Sequence, residues 1–135
     1  MGRSWEAGMA GFGLSFGARR DIYDGETGIY ARWYFEQRLN EECSRARRHG
    51  DLMTVICIAV DDRGALTAGY RLRRHVRDYD LVGRLARTRF AIAVLDAGPD
   101  SADVVGDRLR ATLGDGSDVG SAWFPDDGGG FECRW

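Results

Sequence analysis

Hydrophobic and polar positions repeat along this chain with two different periods. Over residues 31–49, apolar side chains recur at steps of three and four, which predicts a helix with one buried face. The members of this apolar stripe are Phe35, Leu39, Cys43 and Ala46. On its outer face, Arg38 can pair with Glu42 and Glu41 with Arg45. Gly50 follows directly and can end the helix.

Residues 53–60 are apolar on both faces, which predicts a central strand covered by helices on at least one side. Two more helices are predicted: residues 65–76, with a stripe that Gly69 interrupts, and a helix that opens at Gly98-Pro99-Asp100-Ser101 with an N-cap and ends at Gly114. The other predicted strands cover residues 81–85, 90–95 and 118–125. The order αβαββαβ indicates an α+β fold, with an antiparallel or mixed sheet flanked by helices.

The composition is that of one soluble globular domain. The chain has 135 residues, of which 44% are hydrophobic and 30% charged. Its net charge of -2 gives no general attraction to nucleic acid or to a membrane surface, and no apolar stretch is long enough to span a bilayer. We expect residues 1–20, which are rich in glycine, to form a flexible arm and residues 21–135 to form the domain.

The three cysteines lack metal-ligand spacing, and their odd number argues against a closed disulfide framework. They favour a reducing, cytoplasmic compartment. The two histidines have no neighbouring cysteine or acid arranged as a triad or metal site, so the sequence predicts no nucleophilic catalysis, metal or cofactor.

Two motifs lie at a spacing typical of one family. Asp24, Thr27, Gly28 and Arg32 lie in the segment that leads into the first helix, and Arg77-x-x-Asp80 precedes Leu-Val-x-Arg and a hairpin with Phe90. In this pattern the chain resembles the GGDEF (diguanylate cyclase) domains over about residues 21–127. The resemblance implies the palm-like α+β sheet of that family, shortened here by about a dozen residues before Arg77.

The resemblance also implies that the chain is not a cyclase. In the family, carboxylates at the end of the central strand and in the hairpin turn hold the divalent cation. Here Ala59 and Thr88 occupy the matching positions and Arg89 the adjacent acid, while Asp61 and Asp62 remain. Joining two GTP molecules needs that cation to stabilise phosphate charge. We therefore expect a degenerate domain without catalytic residues, with residual chemistry through Asp61 and Asp62 as a remote alternative.

In the family, the Arg-x-x-Asp pair marks an inhibitory site for cyclic di-GMP. Arg77, Asp80 and Arg108 are the candidate ligand-binding residues, with Arg110 as the alternative to Arg108. The guanidinium can fork onto guanine O6 and N7, and the carboxylate can accept from guanine N–H groups. The competing interpretation is a surface ion pair worth ~0–1 kcal/mol.

The sequence thus predicts a cyclic di-GMP receptor that acts through a homodimer or a ligand-bridged protein partner. The alternative is an interaction module that binds no nucleotide and uses the hairpin 86–89 or the N-terminal arm. Arg84 is expected on the solvent face of its strand.

Overall fold

The computed structural model describes residues 21–75, 80–114 and 116–124. The elements follow one another as β1 (Tyr30–Ala31), α1 (Arg32–His49), β2 (Met53–Ala59), a 3-10 helix (Asp62–Gly64), α2 (Ala65–His75), β3 (Leu81–Ala86), β4 (Arg89–Leu95), α3 (Pro99–Leu113) and β5 (Asp118–Phe124). The predicted order is confirmed. The sequence pattern missed β1 and the 3-10 helix because each spans only two or three residues.

The strands form one mixed sheet in the order β1-β3-β4-β2-β5. β1 runs parallel to β3, and every other neighbouring pair is antiparallel. β2 lies between β4 and β5, and all but its last residue are buried. This agrees with the prediction of a central strand, and the arrangement is the shortened palm-like α+β fold expected from the sequence.

Helix α1 covers one face of the sheet. Its stripe of Phe35, Leu39, Cys43 and Ala46 is buried and packs with residues of β2 and β4. Gly50 ends the helix in the left-handed conformation, at φ 72°, which costs glycine little. On the outer face Arg38 binds Glu42 as predicted. The expected pair of Glu41 and Arg45 is wrong, since Arg45 binds Glu42 and Glu41 binds Arg38.

Helices α2 and α3 cover the opposite face of the sheet. Leu72 of α2 and Leu109 of α3 pack there with Ile56, Ile58 and Ile92 of the strands. Helix α3 begins after Gly98 and has Pro99 in its first turn. Gly98 occupies the N-cap position and makes no side-chain cap hydrogen bond. The predicted start of the helix is therefore right.

Two glycines allow the layers to approach closely. A Cβ on Gly69 of α2 would lie 2.4 Å from Thr27 Cγ2, and a Cβ on Gly83 of β3 would lie 2.5 Å from Phe35. Neither glycine has a positive φ, so the backbone conformation does not require glycine. Glycine is needed at both positions because any Cβ would lie too close to the neighbouring side chain. Gly69, which interrupts the apolar stripe of α2, thus marks the contact of that helix with the segment before β1.

The hairpin between β3 and β4 turns at Arg87 and Thr88, with an irregularity between Arg84 and Ala86. Cys57 of β2 is buried in the core and takes part in a disulfide, which the cysteine count did not predict. Among the described helices, none combines the length and apolar content needed to cross a bilayer.

Candidate functional site

A groove of about 460 Å³ opens between the C-terminal end of α2, strand β4 and helix α3. Its apolar floor consists of Ile92, Val94, Val105 and Leu109. Its polar lining consists of His75, Asp80, Asp96, Asp100, Ser101 and Arg108. An apolar floor with a few polar groups at the rim is the usual composition of a small-molecule site.

Asp80 lies immediately before β3 and faces this groove. Its Oδ1 accepts a hydrogen bond from the backbone N–H of Leu95 at 3.2 Å. Leu95 is the last residue of β4, and Asp80 directly precedes the first residue of β3. The bond therefore holds the carboxylate at this edge of the sheet, beside the groove. This contact ties the Asp80 side chain to the end of β4.

Arg108 is exposed on α3 and lines the same groove as Asp80. The alternative, Arg110, instead binds Asp107 at 3.0 Å and the carbonyl of Val119 at 3.1 Å. Of the three predicted ligand-binding residues, the structure therefore brings two together. The third, Arg77, lies outside the described residues.

The positions that the sequence resemblance assigned to metal binding, Ala59 and Thr88, lie at the other end of the hairpin. Ala59 is the register partner of Arg89, and the N–H of Val60 donates to the carbonyl of Thr88 at 3.0 Å. The side chain of Asp61 accepts from the N–H of Gly64 at 2.9 Å and caps the 3-10 helix. Within the described residues, no three carboxylate, imidazole or thiol groups converge as a metal cluster.

Asp62 forms an ion pair with Arg87 at 3.2 Å, between two side chains that are both mostly exposed. The two carboxylates near the end of β2 therefore already have local partners in the structure. Asp61 caps a turn, and Asp62 forms an exposed ion pair with the tip of the hairpin.

Arg84 is a structural residue that the sequence analysis misplaced. It is only 9% exposed, so the expected position on the solvent face is wrong. Its guanidinium binds Asp24 at 3.0 Å and Glu26 at 2.6 Å, and it donates to the carbonyl of Arg87 at 2.9 Å. The guanidinium also lies 5.7 Å from the centre of the Phe90 ring. Arg84 therefore joins the segment before β1 to the hairpin turn.

This contact changes the proton affinity of Asp24. Partial burial acts to raise the pKa of the carboxyl, but hydrogen bonds from Thr27 and from Arg84 outweigh it and hold the pKa of Asp24 below its ordinary value. Thr27 donates both its backbone N–H and its hydroxyl, at 2.9 and 2.7 Å. The sequence signal for this cluster is the Asp24-x-x-Thr27 spacing, which places the Asp24 carboxylate beside the backbone N–H and the hydroxyl of Thr27.

Comparison with solved structures identifies the fold. No family model matches the sequence, and no curated protein matches it. A sensory box/GGDEF family protein from Caulobacter crescentus CB15 superposes with a TM-score of 0.73 at 24% identity, over 82% of this chain and 88% of that chain. The isolated GGDEF domain of TpbB (YfiN) from Pseudomonas aeruginosa gives 0.66 at 25% identity, over 77% and 76%.

The GGDEF domain of DgcB from Caulobacter crescentus, solved in complex with c-di-GMP, gives a TM-score of 0.67 at 17% identity, over 81% of this chain and 78% of that chain. The structural neighbours of this chain are GGDEF domains, and its fold is the GGDEF fold. In that fold, the chain combines the groove beside Asp80 with a hairpin turn that reads Ala-Arg-Thr-Arg.

Proposed function

We propose that this protein is a catalytically inactive GGDEF-like domain that serves as a receptor for cyclic di-GMP. The observation that carries the proposal is that Asp80 and Arg108, far apart in sequence, line one groove of about 460 Å³. Arg77 is proposed as the third ligand-binding residue, three positions before Asp80.

The chemistry of the groove suits a guanine base. A carboxylate fixed like that of Asp80 can accept from the N1–H and the exocyclic amine of guanine, in charge-assisted hydrogen bonds. An arginine can donate in a fork to O6 and N7 of the same kind of base. The apolar floor offers a surface for the flat ring. The complex of the DgcB GGDEF domain with c-di-GMP supports this choice of ligand for the fold.

The proposed loss of cyclase activity depends on the substitutions in the hairpin and on the contacts of the remaining acids. Thr88 and Arg89 replace carboxylates, and a divalent cation prefers carboxylate oxygens. Asp62 is paired with Arg87, and Asp61 caps a turn. Incubation with GTP and magnesium should yield no cyclic dinucleotide, and product formation above background would contradict the proposal.

Calorimetry with cyclic di-GMP tests the receptor. We expect binding by the wild type, and a loss of at least about tenfold in Arg77→Ala, Asp80→Asn and Arg108→Ala, since truncating a charged hydrogen-bonding partner costs about 1.5–3 kcal/mol. Asp80→Asn keeps an acceptor for the N–H of Leu95 and so separates ligand loss from unfolding. Arg48→Ala, on the opposite face of the sheet, removes the same charge and should bind normally.

A homodimer or a partner protein bridged by the ligand is the proposed means of signalling. Light scattering with and without cyclic di-GMP should show a ligand-dependent increase in mass for the homodimer. A constant monomer that still binds the ligand would leave the partner protein as the signalling route.

The second candidate function is a protein interaction module that uses the hairpin turn. One observation favours it: Arg87 presents 73% of its side chain to solvent at the tip, while its carbonyl is held by Arg84. An exposed arginine in a turn held by Arg84 suits an acidic partner surface that would replace Asp62 as its ion-pair partner. Absence of cyclic di-GMP binding by folded protein would favour this function over the receptor.

A further inference from the structure

The groove beside Asp80 is negatively charged along its described lining. Asp80, Asp96 and Asp100 supply three carboxylates against the guanidinium of Arg108 in the described lining, and the proposed Arg77 would add only one more cation. A phosphodiester that entered the groove would meet more like charge than opposite charge. Cyclic di-GMP carries two phosphodiesters, so the orientation of this ligand matters for its affinity.

The backbone fixes Asp96 at the groove. Asp96 follows β4 directly and adopts a left-handed conformation, at φ 57°, which aspartate and asparagine tolerate better than most residues. The next residue is held as well, since the hydroxyl of Thr54 donates to the carbonyl of Ala97 at 2.9 Å. The carboxylate of Asp96 is therefore attached to an ordered part of the backbone beside the groove.

Asp100 changes the electrostatics of a helix end. The N-terminus of a helix attracts phosphate, because its first N–H groups are unpaired and the helix dipole is positive there. Helix α3 begins at this groove, and Asp100 is the acidic residue of its first turn. A carboxylate in that place already offsets the positive end of the dipole.

We infer that Asp96 and Asp100 are specificity residues that keep phosphate out of the groove, so that it accepts the donor edge of an uncharged guanine base while the phosphates stay outside. This inference rests on the proposed receptor function. The ligand class is therefore a guanine nucleoside base, and the phosphates of cyclic di-GMP act against affinity at this groove.

Calorimetry on the whole chain with guanosine, GMP and cyclic di-GMP at low salt tests the inference. Asp96→Asn and Asp100→Asn should each strengthen binding of cyclic di-GMP and of GMP by about twofold to fivefold, the range typical of interactions between solvent-exposed charges. Neither variant should change guanosine binding. The gain should shrink as salt is raised, because exposed charges are screened.

Asp103→Asn is the matched control, since Asp103 is an exposed carboxylate on the same helix that does not line the groove. Asp80→Asn should weaken guanosine and cyclic di-GMP alike. If Asp96→Asn and Asp100→Asn behave like Asp103→Asn, or weaken cyclic di-GMP binding, the inference is overturned while the receptor stands. If no guanine ligand binds the wild type, both fail.

Discussion

At the scale of single residues, Arg84 connects parts of the chain that are far apart in sequence. Its buried guanidinium joins two carboxylates 58 and 60 residues earlier in the chain to the carbonyl of Arg87. Removing a buried cation leaves Asp24 partly desolvated without its partner. We predict that Arg84→Met lowers the free energy of unfolding by about 1–3 kcal/mol, as measured by urea denaturation at pH 7. Arg87→Ala, which breaks an exposed pair, should cost at most about 1 kcal/mol.

Arg84→Met should also change how the free energy of unfolding depends on pH. Because Asp24 has a lowered pKa in the folded protein, its contribution is complete above the ordinary pKa of an aspartate and disappears as pH falls through the lower folded value. Arg84→Met removes one of the interactions that lower this pKa. The difference in unfolding free energy between wild type and variant should therefore shrink on acidification, and a difference that grows toward low pH would contradict the assignment.

Glu36 shows the opposite behaviour. Burial raises the pKa of its carboxyl above the ordinary value, and Arg32 at 3.2 Å only partly offsets this. The folded state then holds the proton more tightly, so this group lowers stability as pH rises from the ordinary pKa through the folded value. Glu36→Gln keeps the shape without the charge, and it should raise the unfolding free energy at pH 7 by a few tenths to about 1 kcal/mol. The exposed Glu41→Gln should have almost no effect.

At the scale of elements, the contact of α2 with the segment before β1 depends on Gly69. Alanine is the better helix former by about 1 kcal/mol, but here its Cβ would lie 2.4 Å from Thr27. We predict that Gly69→Ala destabilises the protein by about 1–3 kcal/mol, measured as a lower denaturation midpoint. Gly106→Ala on α3 is the matched control. The nearest atom to its Cβ would lie 3.8 Å away, so this variant should be neutral or stabilised.

The elements that the sequence predicted well are those whose apolar period is long and regular. The stripe of α1 and the run of β2 are examples, because burial on a defined face imposes the pattern. The two-residue β1 has no such pattern, and its pairing with β3 depends on contacts far along the chain. Arg84 was misplaced for a related reason. Its partners Asp24 and Glu26 lie about 60 residues earlier in the chain, in the segment that covers β3. The alternation of polar and apolar residues along β3 contains no information about those partners.

At the scale of the whole molecule, the sequence predicted the GGDEF fold from the order of weak motifs, and the structural neighbours confirm that fold. The groove could not be predicted in the same way. His75 and Asp96 belong to no motif, and only the packing of α2 and α3 on one face of the sheet brings them beside Asp80. The identity of the ligand-binding residues remains a prediction, since it concerns chemistry and not the path of the backbone.

The groove joins three elements that are separate in sequence, so a ligand held there should stabilise the molecule as a unit. With cyclic di-GMP at about 100 times its dissociation constant, the unfolding free energy should rise by about 2.7 kcal/mol. Hydrogen exchange should slow at Leu95 and in the first turns of α3, because these amides lie at the groove. Amides of α1, on the other face of the sheet, should gain only the protection from exchange that follows from the increase in global stability. If protection were concentrated at the hairpin turn instead, the ligand would bind beside that turn, and the groove would not be the receptor site.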